Sequence, residues 1–240
     1  MDDAKGEKLK GDRLHRLQRS LRKSAPPSGA RPATMVADYD GIVDGQVGRQ
    51  WIEQWIEQTP DDVIFLDLET TGLRADRSLT SLIGILYRQQ DSLRLEQWYS
   101  GDVAAERRQL ERLQRLLERF NLVVTYNGNG FDLPFLRRRW RWHQLAGISE
   151  GCQSLDLLVD VRCRYRKEWP DCRLTTAEER LLGIPRCSDD VPGSEAPLRF
   201  QDIREGAPLS VIEPVLLHNR RDLISLVGLR IELLKVTIES

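Results

Sequence analysis

The chain lacks the features that would place it in a membrane or outside a cell. No apolar run approaches the roughly 18 residues that span a bilayer. The first twenty residues, MDDAKGEKLKGDRLHRLQRS, have no apolar stretch and do not read as a secretory leader. A cytoplasmic location without a membrane partner is the expectation. Cysteine is scarce: four, at Cys152, Cys163, Cys172 and Cys187, with no C-x-x-C pair. That density argues against a secreted disulfide scaffold. A zinc site from all four matches no familiar spacing. Reduced, mostly buried thiols are the simpler reading, and metal binding by these cysteines stays open. Net charge is −1, so no global field draws the chain to a polyanion. Only three histidines occur.

What is present suits one soluble globular domain with a tail. The 240 residues are 40% hydrophobic and 30% charged, as in ordinary globular proteins. Residues 1–31 hold nine Lys/Arg against four Asp/Glu. With the linker SAPPSGARPAT, residues 1–36 read as a disordered or partly helical basic tail. The repeat WIEQWIEQ places Trp51, Ile52, Trp55 and Ile56 on one helical face. Residues 37–60 are therefore expected to be a helical extension packed on a core domain over 61–240.

Within that domain VIFLDLET (63–70) is a strand, and SLTSLIGILYRQQ (78–90) and SLRLEQWYS (92–100) continue a meander. AAERRQLERLQRLLERF (104–120) is an amphipathic helix. LVVTYNG (122–128) is a continuous apolar run, predicted buried and parallel. FDLPFLRRRWRWHQL (131–145) begins a helix, with Pro134 in its first turn. SLDLLVDVRCRY reads as strand or helix. LTTAEERLLG (174–183) is a short helix with Thr175 or Thr176 as N-cap and Gly183 ending it. The C-terminal stretch from Ser210 is a long helix, with Pro214 in its first turn or at a kink. The layout predicts an α/β fold: a mixed β-sheet, antiparallel meander plus parallel strands, flanked by α-helices.

Two acids in the first strand demand a reason. Asp67 and Glu69 stand at i and i+2 and so share a face. Each is costly to desolvate, and each raises the other's pKa unless a cation lies between them. Hard oxygen donors at this spacing suit Mg²⁺ or Mn²⁺. Asp132, at the start of a helix after a glycine-rich turn, is favoured there by the helix dipole whatever else it does. It becomes a third ligand if its strand neighbours the first. His218 and Asp222 are four apart on one helical face; a surface pair is the plain reading, a proton acceptor beside a fourth carboxylate the functional one. Thr70, Thr71 and Asn127, in the turns that end the two strands, are expected near a phosphate or terminal sugar. Phe131 is a candidate to stack on a base or, equally, a core ring. Arg137 and Arg139, with Arg138 and Arg141, interleave with Trp140 and Trp142, a composition that suits single strands as well as a solvated basic face. RCRYRKEW (162–169) repeats it.

LDLET, NGNGFD and HNRRD together resemble the three motifs of the DEDD, or DnaQ-like, 3′–5′ exonucleases, and within them the bacterial YprB-type ribonuclease-H-like domain. ETTGL, YNG…FDLP, DDVPGSE and HNRRDLISL occur here in that order, from about Asp61 to the C-terminus. The resemblance implies the ribonuclease-H-like fold and two divalent ions, Mg²⁺ or Mn²⁺, held by Asp67, Glu69, Asp132 and Asp222. It implies hydrolysis of phosphodiester bonds from the 3′ end of nucleic acid, single-stranded DNA or RNA, with release of nucleoside monophosphates. His218 departs from the pattern. One subgroup has tyrosine at its position, and the histidine subgroup places histidine one residue earlier. The general base is thus less firmly implied than the metal ligands. A nucleic-acid-binding module of weak turnover, or a phosphohydrolase of short oligonucleotides or nucleotides, is the competing expectation. Protein partners are not indicated.

Overall fold

A computed structural model of the chain describes residues 34–37, 55–90, 92–149, 151–184, 186 and 193–238; at 34–37 and 236–238 it describes backbone alone. Six strands form one sheet: β1 Thr34–Ala37, β2 Val63–Thr70, β3 Thr80–Gln89, β4 Ser92–Tyr99, β5 Leu122–Thr125 and β6 Gln153–Asp156. Their order is β1-β4-β3-β2-β5-β6. β2, β3 and β4 form the antiparallel meander. β2–β5 and β5–β6 pair in parallel. The helices are α1 Val103–Leu117, α2 Asp132–Trp142, α3 Leu157–Tyr165, α4 Leu174–Ala177 with a π-helical turn Glu178–Leu182, α5 Ala196–Arg204 and α6 Glu213–Ile238.

The period of two along β2 explains the layering. Ile64, Leu66 and Leu68 pack with α1 and α2 through Leu110, Leu113, Leu133 and Leu136. Val63 and Phe65 pack on the opposite face with Leu223, Leu226 and Val227 of α6 and Val161 of α3. Asp67 and Glu69 continue that second row, so the alternation that buries Phe65 under α6 also aims both acids towards α6. β5 lies beside β2 in parallel, Val63 opposite Leu122, and both strands run to the same edge. Acids at their C-terminal ends therefore converge, as α/β folds commonly arrange.

Four elements differ from the sequence reading, among them α5, for which that reading predicts no helix. β1 falls at the end of the expected linker, where it pairs with β4, Thr34 opposite Trp98. The outer edge of β4 offers unpaired backbone groups to any extended segment, and a four-residue strand carries too little pattern to announce itself. SLDLLVDVRCRY is strand and helix in succession, divided at Asp156, whose side chain accepts from the Leu158 N–H and caps α3. Helix α4 starts from Arg173 without a side-chain cap, and Thr176 Oγ1 donates instead to Asp171. Most of the basic tail, and Trp51 and Ile52, lie outside the described residues. Of the expected extension over 37–60, residues 55–58 form a helical turn, and Trp55 is buried in the α6-side core.

Arg139 and Trp140 correct the expectation of a nucleic-acid surface at those positions. Arg139 is 0% exposed and Trp140 1% exposed. Arg139 Nε donates to Glu106 Oε1 at 2.8 Å, and Nη1 donates to the Ala75 carbonyl at 2.9 Å. Glu106 also accepts from the Thr80 N–H and contacts His143 Nε2, each at 2.8 Å. Trp140 Nε1 donates to the Leu110 carbonyl. The cluster ties α1, α2 and the turn after β2 together. Burial would raise the Glu106 carboxyl, but hydrogen bonds from His143 and Arg139 outweigh it and hold it below the usual range.

Candidate active site

Three of the four predicted acids are anchored, each by a different neighbour, at the C-terminal edge of the sheet. Asp67 receives Asn219 Nδ2 on Oδ2 at 2.7 Å and on its carbonyl at 3.2 Å. Asn219 Oδ1 in turn accepts from Gln97 Nε2 at 2.8 Å, and Gln97 also donates to the Leu216 carbonyl. Asp132 Oδ1 accepts from the Leu68 N–H at 3.1 Å, which pins α2 to β2. Asp222 Oδ1 accepts from Arg186 Nη2 at 2.5 Å. Its Oδ2 lies 3.7 Å from His218 Nε2, one helical turn earlier on α6.

The four acids feel one another. Burial, then the charges of Asp222, Glu69 and Asp132, push the Asp67 carboxyl well above the usual range, against the pull of Asn219. Burial, then Asp222 and Asp132, do the same to Glu69. Burial raises Asp132 to about 7 despite backbone hydrogen bonds. Asp222 is raised by burial too, though His218 and Arg186 oppose it. Unfolded carboxyls titrate near ~4. Between there and about pH 7 these four carboxyls thus hold more protons in the folded chain than in the unfolded one, and their contribution to stability falls as pH rises. Melting temperature in EDTA is expected to drop steadily from pH 5 to 7.5; a flat or rising profile would contradict the burial of these acids together.

The donor chemistry, four carboxylates and no thiolate, suits a hard divalent ion. Among the described residues, however, no three His, Cys, Asp or Glu side chains stand in metal-holding geometry. The physical reason is visible in the pairings: Asp222 is turned to Arg186, Asp67 to Asn219 and Asp132 to Leu68. Like charges hold apart unless a cation draws them in.

Three side chains escaped the sequence reading. Glu178 opens the π-helical turn, is 2% exposed, and grips Arg186 Nε at 2.6 Å. Arg186 spans Glu178, Asp222 and, at 3.3 Å from Nη1, His218 Nδ1. A π-helical turn is a possible local signal because such bulges recur at functional sites, but it leaves no mark in the residue types. Asp156 also escaped. It accepts from the Asn127 and Asn129 N–H groups and so holds the turn that leads to Asp132. Of DDVPGSE, described from Gly193 onward, Gly193 lies at the site: a Cβ on it would stand 3.4 Å from His218 Nε2 and 3.8 Å from Glu69 Oε2.

The remaining predicted contacts divide. Asn127 is exposed in a left-handed conformation (φ 63°). Phe131 is half-buried, its ring 5.6 Å from that of Phe135. Arg137 is exposed on α2. Thr70 is buried and donates to the Gly72 carbonyl, and the half-buried Thr71 accepts from the Leu79 N–H at Oγ1. Both hydroxyls help to close the turn.

Gly84 of β3 lies opposite Asp67 of β2 and opposite Gln97 of β4. A Cβ there would sit 2.1 Å from Asn219 Oδ1, so the missing side chain is what admits Asn219 to Asp67. Gly84→Ala is expected to cost about 1–3 kcal/mol of stability by overpacking, measured by denaturant melts. An unchanged midpoint would show that Asn219 has room to move.

Among the described residues no helix is long and apolar enough to cross a membrane. The Bacillus subtilis protein YprB, uncharacterised, is 29% identical over 184 residues, 73% of this chain and 42% of its own length. The chain thus spans about two fifths of that relative. A family B DNA polymerase from Pyrobaculum calidifontis shares the fold at TM-score 0.59 and 18% identity, over 73% of this chain and 25% of the polymerase. Brucella melitensis NrnC aligns at TM-score 0.47 and 16% identity, over 75% of each chain. A family model matches residues 64–234, from the first residues of β2 into the last turns of α6, and on that match the chain belongs to the RNase_H superfamily.

Proposed function

We propose that the chain is a metal-dependent nuclease that removes nucleoside monophosphates from the 3′ end of single-stranded nucleic acid. The observation that carries this reading is that Asp67 and Glu69 on β2, Asp132 on α2 and Asp222 on α6 lie at one edge of the sheet, with Asn219 of α6 on Asp67 and Gly193 between His218 and Glu69, and that burial raises all four carboxyls, with repulsion among them adding to it. Buried acids of like charge are costly unless they serve a cation. Two Mg²⁺ or Mn²⁺ ions held by these four residues would activate a water and steady the leaving 3′ oxygen.

The chain's own groups set the geometry for that chemistry. Asn219 fixes the Asp67 carboxylate, and the Leu68 N–H fixes Asp132. Arginine N–H groups only donate, so wherever Arg186 Nη1 donates to His218 Nδ1 the ring proton stands on Nε2. His218 therefore acts as a proton acceptor at Nε2 only after Arg186 has left Nδ1. Departure of Arg186 would also release Asp222 for a cation. Arg137, Asn127 and Phe131 remain available as contacts to the strand.

Incubating 3′-labelled and 5′-labelled oligonucleotides of DNA and RNA, and a dinucleotide, with Mg²⁺, Mn²⁺ or EDTA tests this. Label from the 3′ end is expected first, as mononucleotide, and in neither case with EDTA. Earlier release of 5′ label would reverse the polarity. Turnover of the dinucleotide alone would make the chain a phosphohydrolase of short substrates. One observation favours a second reading, a binding module with little turnover: Arg186 is lodged on Asp222 where a cation would stand. Strand binding with no cleavage under either ion would select it.

A further inference from the structure

RCRYRKEW contributes nothing to the carboxylate set, yet the fold builds a cleft from it. The cleft has a volume of about 730 Å³ and lies between the C-terminal half of α3 and residues 170–174. That is within the ~300–1,000 Å³ of typical ligand sites. Tyr126, Asn127, Arg162, Arg166, Trp169 and Arg173 line it, with Leu158 and Pro170 among the apolar lining. We infer that this cleft binds a nucleotide unit of single-stranded nucleic acid, with its phosphates on Arg162 and Arg166 and a base against Trp169.

Charge is the first argument. Arg162 and Arg166 are four residues apart, so they stand on one face of α3, about 5–6 Å apart at Cβ. Both are exposed, and among the described residues neither side chain has an ion-pair or hydrogen-bond partner. Arg173 is held loosely, 3.8 Å from Asp171. Three arginines thus face one carboxylate, and the excess is positive. The buried Arg139, by contrast, is matched with Glu106. Exposed, unmatched guanidinium pairs suit a phosphate, which they bind in a fork geometry.

The second argument is the aromatic wall. Trp169 stacks on Tyr165 with ring centroids 4.3 Å apart and planes within 3°. A half-buried tryptophan braced in this way loses little freedom when a base stacks on it. The Tyr126 hydroxyl is turned away from any ligand, donating to the Cys172 carbonyl at 2.7 Å, and leaves its ring as lining. The third argument is continuity. Asn127 belongs both to this cleft and to the turn that Asp156 holds and that ends at Asp132. A strand whose 3′ end lies at the acids has an adjoining cationic and aromatic surface on which to rest its preceding nucleotides.

The inference rests on the reading that the substrate is a nucleic-acid strand, and a binding measurement separates it from the catalytic proposal. The full chain in EDTA is titrated into a labelled single-stranded oligonucleotide of about ten nucleotides, followed by fluorescence anisotropy over a range of salt. R162E/R166E, both surface changes, is expected to weaken binding at least tenfold and to flatten the salt dependence by about 1.4 in log–log slope, two phosphates at ~0.7 each. Trp169→Leu, which keeps apolar packing, is expected to weaken binding roughly fivefold or more through lost stacking. Circular dichroism confirms that each variant is folded. Equal affinity of R162E/R166E and wild type overturns the cleft assignment. So does displacement of the oligonucleotide by mononucleotide at equal concentration, which would mark a site for free nucleotide. Loss of binding in R162E/R166E supports the cleft even if the wild type with Mn²⁺ cleaves nothing, a result that sinks the catalytic proposal alone.

Discussion

Asp67→Asn is expected to lower metal-dependent cleavage by well over 100-fold while leaving the fold at least as stable. Loss of an outer-sphere partner of a metal site already costs about 10–100-fold, and a direct ligand costs more. The stability half of the result follows from the environment. In the folded chain Asp67 is raised by burial and by the charges of Asp222, Glu69 and Asp132, so a neutral side chain of similar shape relieves repulsion. Asparagine loses one acceptor oxygen but still offers one to Asn219. In EDTA at pH 7.5 the melting temperature should therefore hold or rise. Addition of Mg²⁺ or Mn²⁺ should stabilise wild type and do little for the variant. A variant that keeps its activity would remove Asp67 from the metal set. One that melts far below wild type would show the acid to be a structural member of the core.

The second large effect lies away from the acids. Glu106→Gln should destabilise the chain by about 3–5 kcal/mol, because it strands the fully buried guanidinium of Arg139. For a chain of this size that is a drop of roughly 10 °C in melting temperature. Asp67→Asn and Glu106→Gln thus move stability in opposite directions although both neutralise a buried acid. The difference is the partner: Glu106 has Arg139, His143 and the Thr80 N–H, whereas Asp67 has three like charges and Asn219. Adding Arg139→Met to Glu106→Gln should cost little more, since the two changes break one ion pair and are not additive. Additive losses would mean that Arg139 and Glu106 act independently.

The same contrast corrects the reading of RRRWRW. By composition Arg137, Arg139 and Trp140 are equivalent candidates for a nucleic-acid surface. Helical spacing turns Arg137 outward and Arg139 and Trp140 inward, and nothing in composition distinguishes an arginine that meets solvent from one that meets Glu106 across 33 residues. The second cluster, RCRYRKEW, is the one that lines a cleft, because α3 ends there with Arg162 and Arg166 exposed.

Residue order alone was enough to establish the strand-helix series from Val63 to the helix that begins at Asp132, the sharing of a face by Asp67 and Glu69, the helical spacing of His218 and Asp222, and the family likeness. These properties depend on local periodicity and on short motifs, which a linear chain displays directly. Tertiary packing decided the rest. It placed Asn219 against Asp67 through the gap at Gly84, lodged Arg186 between Glu178 and Asp222, and brought Gly193 to His218 and Glu69. Those contacts join residues distant in sequence, Asp67 and Asn219 by 152 positions. They exist because burial of the apolar rows on both faces of the sheet leaves the polar side chains no other neighbours. Which partner a buried polar group finds is a property of the packed layers, and no local pattern records it.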